Sequence, residues 1–233
     1  MITDKRLLAL VIARGGSKRL ENKNLLPLGG RPLIEWTIGA GLESEYIDRL
    51  IVSTNDYEIA AVAEKAGADV PFIRPQNLAL DQTETIDVIR HAIDTLTLSG
   101  EKFHYLLLLQ PTSPLRTTQH INEAIELMLH TKSESVIGVT ALEHPVEWSN
   151  VLPDNLSMDE FFGESFCAGQ SQSFPPRYRI NGAIYLGKIE SILGQNSLFL
   201  NRGSVAYKME QACSVDIDTK VDLLLAEALL SEN

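Results

Sequence analysis

The chain has 233 residues, 44% of them apolar and 22% charged, with a formal net charge of −11. That composition excludes collagen-like and disordered classes, and the length suits one sizeable α/β domain with an appendage. The acidic balance speaks against a nucleic-acid partner, which needs a basic field, yet a few local Arg and Lys can still command one cleft for an anion.

From the N-terminus, the first element is Leu7 to Ala13, LLALVIA, an apolar run with no polar alternation that stops at Arg14. Such a run reads as a strand buried on both faces. It is far shorter than the roughly 20 residues of a membrane span and shows no leader pattern, so a cytoplasmic, non-membrane protein is expected. Ile51-Val52 with their flanks, Tyr105 to Leu109 and Ser135 to Val139 repeat the strand pattern. Helix-like segments lie between them at Pro32 to Leu42, Glu58 to Ala66, Thr85 to Leu96 and His120 to Leu129. Gly67 stands where a helix C-terminal glycine belongs, and Thr118 is the expected N-cap of the fourth helix. Alternating buried strands and helices predict a mostly parallel sheet with helices on both faces. From about Glu143 to Tyr178 the alternation fails, and Pro145, Pro153, Pro175 and Pro176 interrupt a stretch holding five Trp and Phe residues. This stretch reads as an arm on a single domain spanning 1–233, its aromatics buried against a second subunit. Strands at Asn181 to Leu186 and Ser214 to Ile217 and a helix from Lys220 to Leu230 complete the chain. Cys167 and Cys213 read as thiols of a reducing compartment.

Chemistry concentrates where strands end. The first strand runs into Arg14-Gly15-Gly16-Ser17-Lys18-Arg19, with Lys23 and Asn24 just beyond. Ligands of open parallel sheets bind outside the carboxyl ends of the strands, and two glycines free the backbone to turn its N–H groups toward an anion. The segment is therefore expected to cradle a polyphosphate, although it matches neither GxxxxGK[ST] nor GxGxxG. Asp216-Ile217-Asp218 places two carboxylates on one face of an extended segment, suited to Mg²⁺ or else to capping the last helix through Asp218 or Thr219. Gln110 to Arg116, QPTSPLR, follows the strand YLLLL, and Gln110 and Arg116 offer donors toward a ligand there. Arg74-Pro75 takes an equivalent place after a short strand near Val70. The five histidines show no metal-ligand spacing.

Together these segments carry a resemblance. IARGGSKRLENKNLLPLGGRPLI, RLIVSTND, PFIRPQNLALDQTET, LLLQPTSPLRT, RINGAIYL and SVDIDTKVDL fall in order over nearly the whole chain. In this combination the chain resembles the acylneuraminate cytidylyltransferases, the CMP-sialic acid synthetase family. The resemblance implies a Rossmann-like α/β fold and a homodimer built through a protruding arm at about 143–178. It also implies CMP transfer from CTP to the anomeric hydroxyl of a nonulosonic acid, a nine-carbon 2-keto sugar acid. Carried over residue by residue, it puts Arg14, Gly15, Gly16, Ser17, Lys23 and Asn24 on the nucleotide, with Arg74 and Thr85 near the cytosine. Gln110, Asn181 and Tyr185 would face the sugar acid, Leu198 and Phe199 its acyl group, and Asp216 and Asp218 would bind Mg²⁺. Arg14, Lys23 and Asp216 would carry the catalysis, the hydroxyl proton going to Asp216 or to a water on the metal. The chain departs from the family pattern at Ser171, where an Arg is common, and at Glu147, where a basic residue often follows His-Pro. Arg177 or Arg179 is the expected substitute near the acid. The alternatives are an eight-carbon octulosonate or a bacterial analogue such as legionaminate or pseudaminate as acceptor, a dinucleotide-dependent dehydrogenase, against which the absent GxGxxG speaks, and a non-catalytic nucleotide-binding regulator. Asp216 and Asp218 argue against the last, since nucleotide binding alone needs no metal clasp.

Overall fold

The computed structural model describes residues 5–159, 161 and 174–231. Strand β1 (Leu7–Ile12) lies at the centre, and its side chains point alternately to two separate cores. Leu7, Ala9 and Val11 join one cluster and Leu8 and Leu10 the other, so the unbroken apolar run is what a strand covered on both faces requires.

After β1 the chain turns through the basic segment, forms a short hairpin of β2 (Pro27–Leu28) and β3 (Arg31–Pro32), and enters α1 (Leu33–Leu42). Strand β4 (Arg49–Ser53) and helix α2 (Tyr57–Lys65) follow, the helix capped by the Asp56 carboxylate on Glu58 and Ile59 N–H. Gly67, at φ +96°, ends it in the left-handed region. Helix α3 (Thr85–Leu98), strand β5 (Tyr105–Leu109), helix α4 (Thr118–Thr131) and strand β6 (Ser135–Ala141) complete the first part of the chain. The N-cap of α4 is Thr117, not the expected Thr118, whose hydroxyl instead donates to Ala40 O and Glu43. The remainder comprises β7 (Tyr178–Lys188), α5 (Ile189–Gln195), β8 (Ser204–Lys208) and α6 (Lys220–Ser231).

Among the described residues these strands form a six-stranded sheet in the order β4-β1-β5-β7-β6-β8. Strand β7 alone runs antiparallel to its neighbours β5 and β6, and the other pairings are parallel. Helices α1, α2 and α4 pack on one face; α3 and α5 cover the other. A third cluster wedges α6 against the β2–β3 hairpin through Leu28, Leu33, Ile217 and Ala226.

Two expected strands do not form. Ser214 to Ile217 is extended but unladdered, holding the sheet side through one bond from Ile217 N to Thr112 O. Near Val70 there are only isolated bridges, Ile51 to Asp69 and Thr54 to Ile73. The aromatic stretch is described in part: Trp148 meets Phe174 edge-on at 6.1 Å, while Phe162, Phe166, Cys167 and Ser171 lie outside the described residues.

Candidate active site

Chain order sends the connection after β1 outward to β4 and later brings β5 in on the other side of β1. The sheet therefore reverses its winding between β1 and β5, where an open crevice forms at the carboxyl ends. A cleft of about 370 Å³ lies there, lined by Arg14, Ser17, Lys23, Asn24, Arg74, Thr85, Gln110, Asp216 and Asp218 among others. Four stretches expected from sequence to carry chemistry, around Arg14 to Asn24, Arg74 to Thr85, Gln110 and Asp216 to Asp218, thus meet in one place.

Gly15 and Gly16 shape the cradle without lining it. A Cβ on Gly15 would stand 2.5 Å from the Asp56 carboxylate, and Gly16 sits at φ +72°. Each position is open only to glycine, which lets Arg14 and Ser17 turn back over the strand end. Gly15 N–H donates to Asn55 Oδ1, so it is not free for an anion. Asn24 is buried and donates to Arg14 O, fixing the backbone from which the Arg14 side chain departs.

The cations are not idle. Lys23 Nζ donates to Ile217 O and Asp218 Oδ1, both at 2.9 Å, and Arg19 Nη1 holds Asp218 Oδ2 at 2.8 Å. Lys23 holds the Asp218 carboxyl below the usual carboxylate range. Asp216 behaves oppositely: burial in the cleft wall pushes its pKa up, against a hydrogen bond from Thr112, and the neighbouring Asp218 charge adds to the rise. Thr219 caps α6 as expected, its hydroxyl accepting from Asp222 N–H, and the Asp222 carboxylate accepts in return from Asp218 N, Thr219 N and the Thr219 hydroxyl. The Asp218 carboxylate is therefore left facing the cleft.

Two oxygen-donor residues on one wall suit a hard cation that takes its remaining ligands from phosphate and water. No group of three His, Cys, Asp or Glu able to hold a metal occurs among the described residues. The donor set fits Mg²⁺ shared with a nucleotide, and does not fit a closed zinc site.

Arg74 is the waiting donor. It is 2% exposed, and its Nε and Nη1 have no hydrogen-bond partner among the described residues. Burial, then the charge of Arg14, lower its pKa to about 10, so it remains a cation at neutral pH. A buried guanidinium with free donors is costly unless a ligand completes it.

On the acceptor side the expectations divide. Gln110 lines the cleft beside Gly182, where a Cβ would lie 2.8 Å from Gln110 Oε1. Asn181 does not reach the cleft: it is buried, donating to Ser214 Oγ and Met209 Sδ and accepting from Ala183 N–H. It braces the 181–183 backbone on which Gly182 sits. Tyr185 is largely buried near Asp216 and meets the exposed Phe199 ring edge-on at 5.9 Å, whereas Leu198 packs against the core. Arg116 does not offer donors to a ligand. It is buried and turned inward, donating to Ala183 O at 3.0 Å and Gln110 O at 3.4 Å, and so ties the loop after β5 to β7. Arg177 is paired with Glu147 at 2.5 Å, which leaves Arg179, hydrogen-bonded to Ser214 O, as the arginine facing this end.

One residue of the cleft was not singled out from the sequence. Asp81 lines it and pairs with Arg14 Nη1 at 2.7 Å and with Lys18. Its signal was present in the segment NLALDQTET, an acid in a turn between Arg74 and Thr85.

A family model described as cytidylyltransferase matches residues 8–229. The chain belongs to the cytidylyltransferase family. Among curated relatives, the N-acylneuraminate cytidylyltransferase of Escherichia coli O18:K1:H7 is 36% identical over 95% of this chain and 51% of its own length. The CMP-N,N'-diacetyllegionaminic acid synthase of Legionella pneumophila is 37% identical over 98% of this chain and 97% of its own. The pseudaminic acid cytidylyltransferase of Campylobacter jejuni is 31% identical, covering 97% of both chains. This chain thus spans about half the length of the Escherichia coli relative. A solved CMP:2-keto-3-deoxy-manno-octonic acid synthetase complexed with CTP superposes with a TM-score of 0.71 at 14% identity, covering 97% of this chain and 99% of that one. At that identity the likeness shows the cytidylyltransferase fold and nothing finer. No helix of the described residues is long and apolar enough to cross a membrane.

Proposed function

We propose that this chain transfers CMP from CTP to the anomeric hydroxyl of an N-acylated nine-carbon 2-keto sugar acid, releasing pyrophosphate. The observation that carries the reading is the single cleft uniting Arg14, Lys23 and Arg74 with Gln110, Asp216 and Asp218. The names of the full-length relatives from Legionella and Campylobacter, both synthases or transferases of such acids, support the acceptor class.

The α-phosphorus of CTP is shielded by negative charge, and the leaving pyrophosphate gains more. Arg14 and Lys23 neutralise that charge where it develops, which is the main contribution available to phosphoryl chemistry. Arg74 and Thr85, which line the same cleft, hold the base end of the nucleotide. Mg²⁺ held by Asp216 and Asp218 supplies further charge neutralisation at the phosphate oxygens when bound. The hemiketal oxygen attacks the α-phosphorus and the bond to the β-phosphate bridging oxygen breaks. The hydroxyl proton leaves on the Asp216 side of the cleft, to a carboxylate oxygen of Asp216 that is not holding the cation or to a neighbouring water. Gln110 and Arg179 orient the acid, and the exposed Phe199 beside Tyr185 forms an apolar wall for the acyl methyl. The segment 143–178 serves as the arm of a homodimer, with Trp148 and Phe174 at its base.

Pyrophosphate release, measured with four nucleoside triphosphates and a panel of keto-sugar acids, tests this. CTP is expected to be used over ATP, GTP and UTP. N-acetylneuraminate, di-N-acetyllegionaminate and pseudaminate should fall within roughly 200-fold of one another, because an acyl group in an apolar pocket discriminates by only about 1–3 kcal/mol. The octulosonate, with no acyl group, should trail them. Equal use of all four nucleotides, or a preference for the octulosonate, would overturn the proposal.

A further inference from the structure

We propose that Asp81 is an internal stand-in for a phosphate group, occupying the polyphosphate cradle when no nucleotide is bound and yielding it on nucleotide entry. The inference rests on the nucleotide reading above and assigns a role to a residue that reading does not use.

Asp81 is placed by a tight turn between Arg74 and α3. Thr83 N–H donates to Leu80 O at 3.1 Å, and the Thr83 hydroxyl donates to Asn77 O at 3.4 Å. The turn thrusts the carboxylate into the space between Arg14, Ser17, Lys18, Lys23 and Asp218. One carboxylate oxygen takes Arg14 and the other takes Lys18. These two hydrogen-bonded cations hold the Asp81 carboxyl below the usual carboxylate range, so it stays ionised at any pH near neutrality. Arg14 Nη1 also reaches Ala79 O at 3.4 Å, binding the same loop a second time. The cradle is thus filled from within by one negative charge carried on a turn.

A triphosphate brings more charge and more oxygens to the same cations and displaces a single carboxylate. The exchange weakens binding of every polyphosphate by the strength of the Asp81 pairs, and it weakens pyrophosphate as much as CTP. When pyrophosphate departs, the carboxylate recaptures Arg14 and Lys18, which favours release of a product that the cations would otherwise retain. Cytidine, with no phosphate, does not compete with Asp81 and is indifferent to it.

The test is isothermal titration of the wild-type chain and of Asp81→Asn with CTP, ATP, UTP, inorganic pyrophosphate and cytidine. Two exposed ion pairs set the expected scale: CTP and pyrophosphate each bind the variant roughly three- to tenfold tighter, and cytidine is unchanged. Stopped-flow pyrophosphate release from the variant should slow by a similar factor. Weaker or unchanged CTP and pyrophosphate binding by Asp81→Asn would overturn the proposal, because Asp81 would then support Arg14 rather than compete for it. Tighter cytidine binding would also overturn it, by showing a general change in the cleft. The nucleotide reading fails separately: if pyrophosphate tightens but neither form prefers CTP over other triphosphates, Asp81 stands and CTP falls.

Discussion

Replacing Arg74 with Met should make the protein more stable and a poorer ligand for CTP. The side chain is 2% exposed and two of its guanidinium nitrogens have no partner among the described residues. Burial lowers its pKa from the ordinary arginine range to about 10, which corresponds to a penalty of about 3 kcal/mol on the buried charge. A folded-state pKa below the unfolded one means that the folded chain binds the proton more weakly. The penalty is therefore absent only in strong alkali, where Arg74 is neutral in both states, and is complete once pH has fallen through about 10. At pH 7 the full penalty applies. Met keeps the length of the side chain and removes the charge, so some 1–3 kcal/mol should be recovered, a rise in Tm of roughly 2–10 °C for a chain of this size. The same change removes charge-assisted hydrogen bonds worth about 1.5–3 kcal/mol each to a bound nucleotide, weakening CTP by about 10- to 150-fold. Differential scanning calorimetry at pH 7, with and without CTP, reads both effects. A variant that melts below wild type, or that keeps wild-type CTP affinity, would refute the reasoning that Arg74 waits unpaired for the nucleotide.

Asp216→Asn should also melt higher than wild type at pH 7, since burial raises the Asp216 pKa and the ionised form is disfavoured in the folded state. That advantage should vanish in acid, where Asp216 is neutral in both states, and turnover should collapse at every pH; an unchanged melt paired with retained activity would count against a role as proton acceptor. Gly182→Ala, placing a Cβ 2.8 Å from Gln110 Oε1 at a φ of +78°, should raise KM for the sugar acid severalfold with little change in KM for CTP. A rise confined to CTP would remove Gln110 from the acceptor side. Light scattering at micromolar protein should give twice the chain mass of 25.8 kDa, and a strictly monomeric, fully active protein would refute the arm as a pairing device.

What the sequence showed depended on periodicity. LLALVIA and YLLLL were legible because a strand buried on both faces has no alternative reading at that length, and α1 to α4 and α6 fall within two residues of their expected limits. Strand β8, SVAYK, was missed because it is an edge strand with one buried side chain in five, which leaves little apolar signal. Helix α5 is too short and too weakly capped to announce itself. Ser214 to Ile217 has strand composition but no neighbour to ladder with. The cationic part of the site was legible through the rule that ligands gather at strand ends. Charges that act by turning inward were not. Arg116 meets the carbonyl of Ala183, 67 residues away, and Asn181 meets Ser214, 33 away, so their directions depend on the folded arrangement alone. Asp81 is a lone acid in a polar turn, without a pattern to mark it.

The central claim is that the α-phosphoryl group moves to the sugar acid with its cytidine attached. CTP labelled at the α-phosphorus, incubated with Mg²⁺ and N-acetylneuraminate or di-N-acetyllegionaminate, tests it directly. The account predicts that all transferred label appears in a CMP-sugar diester and none in pyrophosphate, with no product when the acid is omitted. Label released as free CMP without the acid, or a product carrying the γ-phosphate instead, would contradict it.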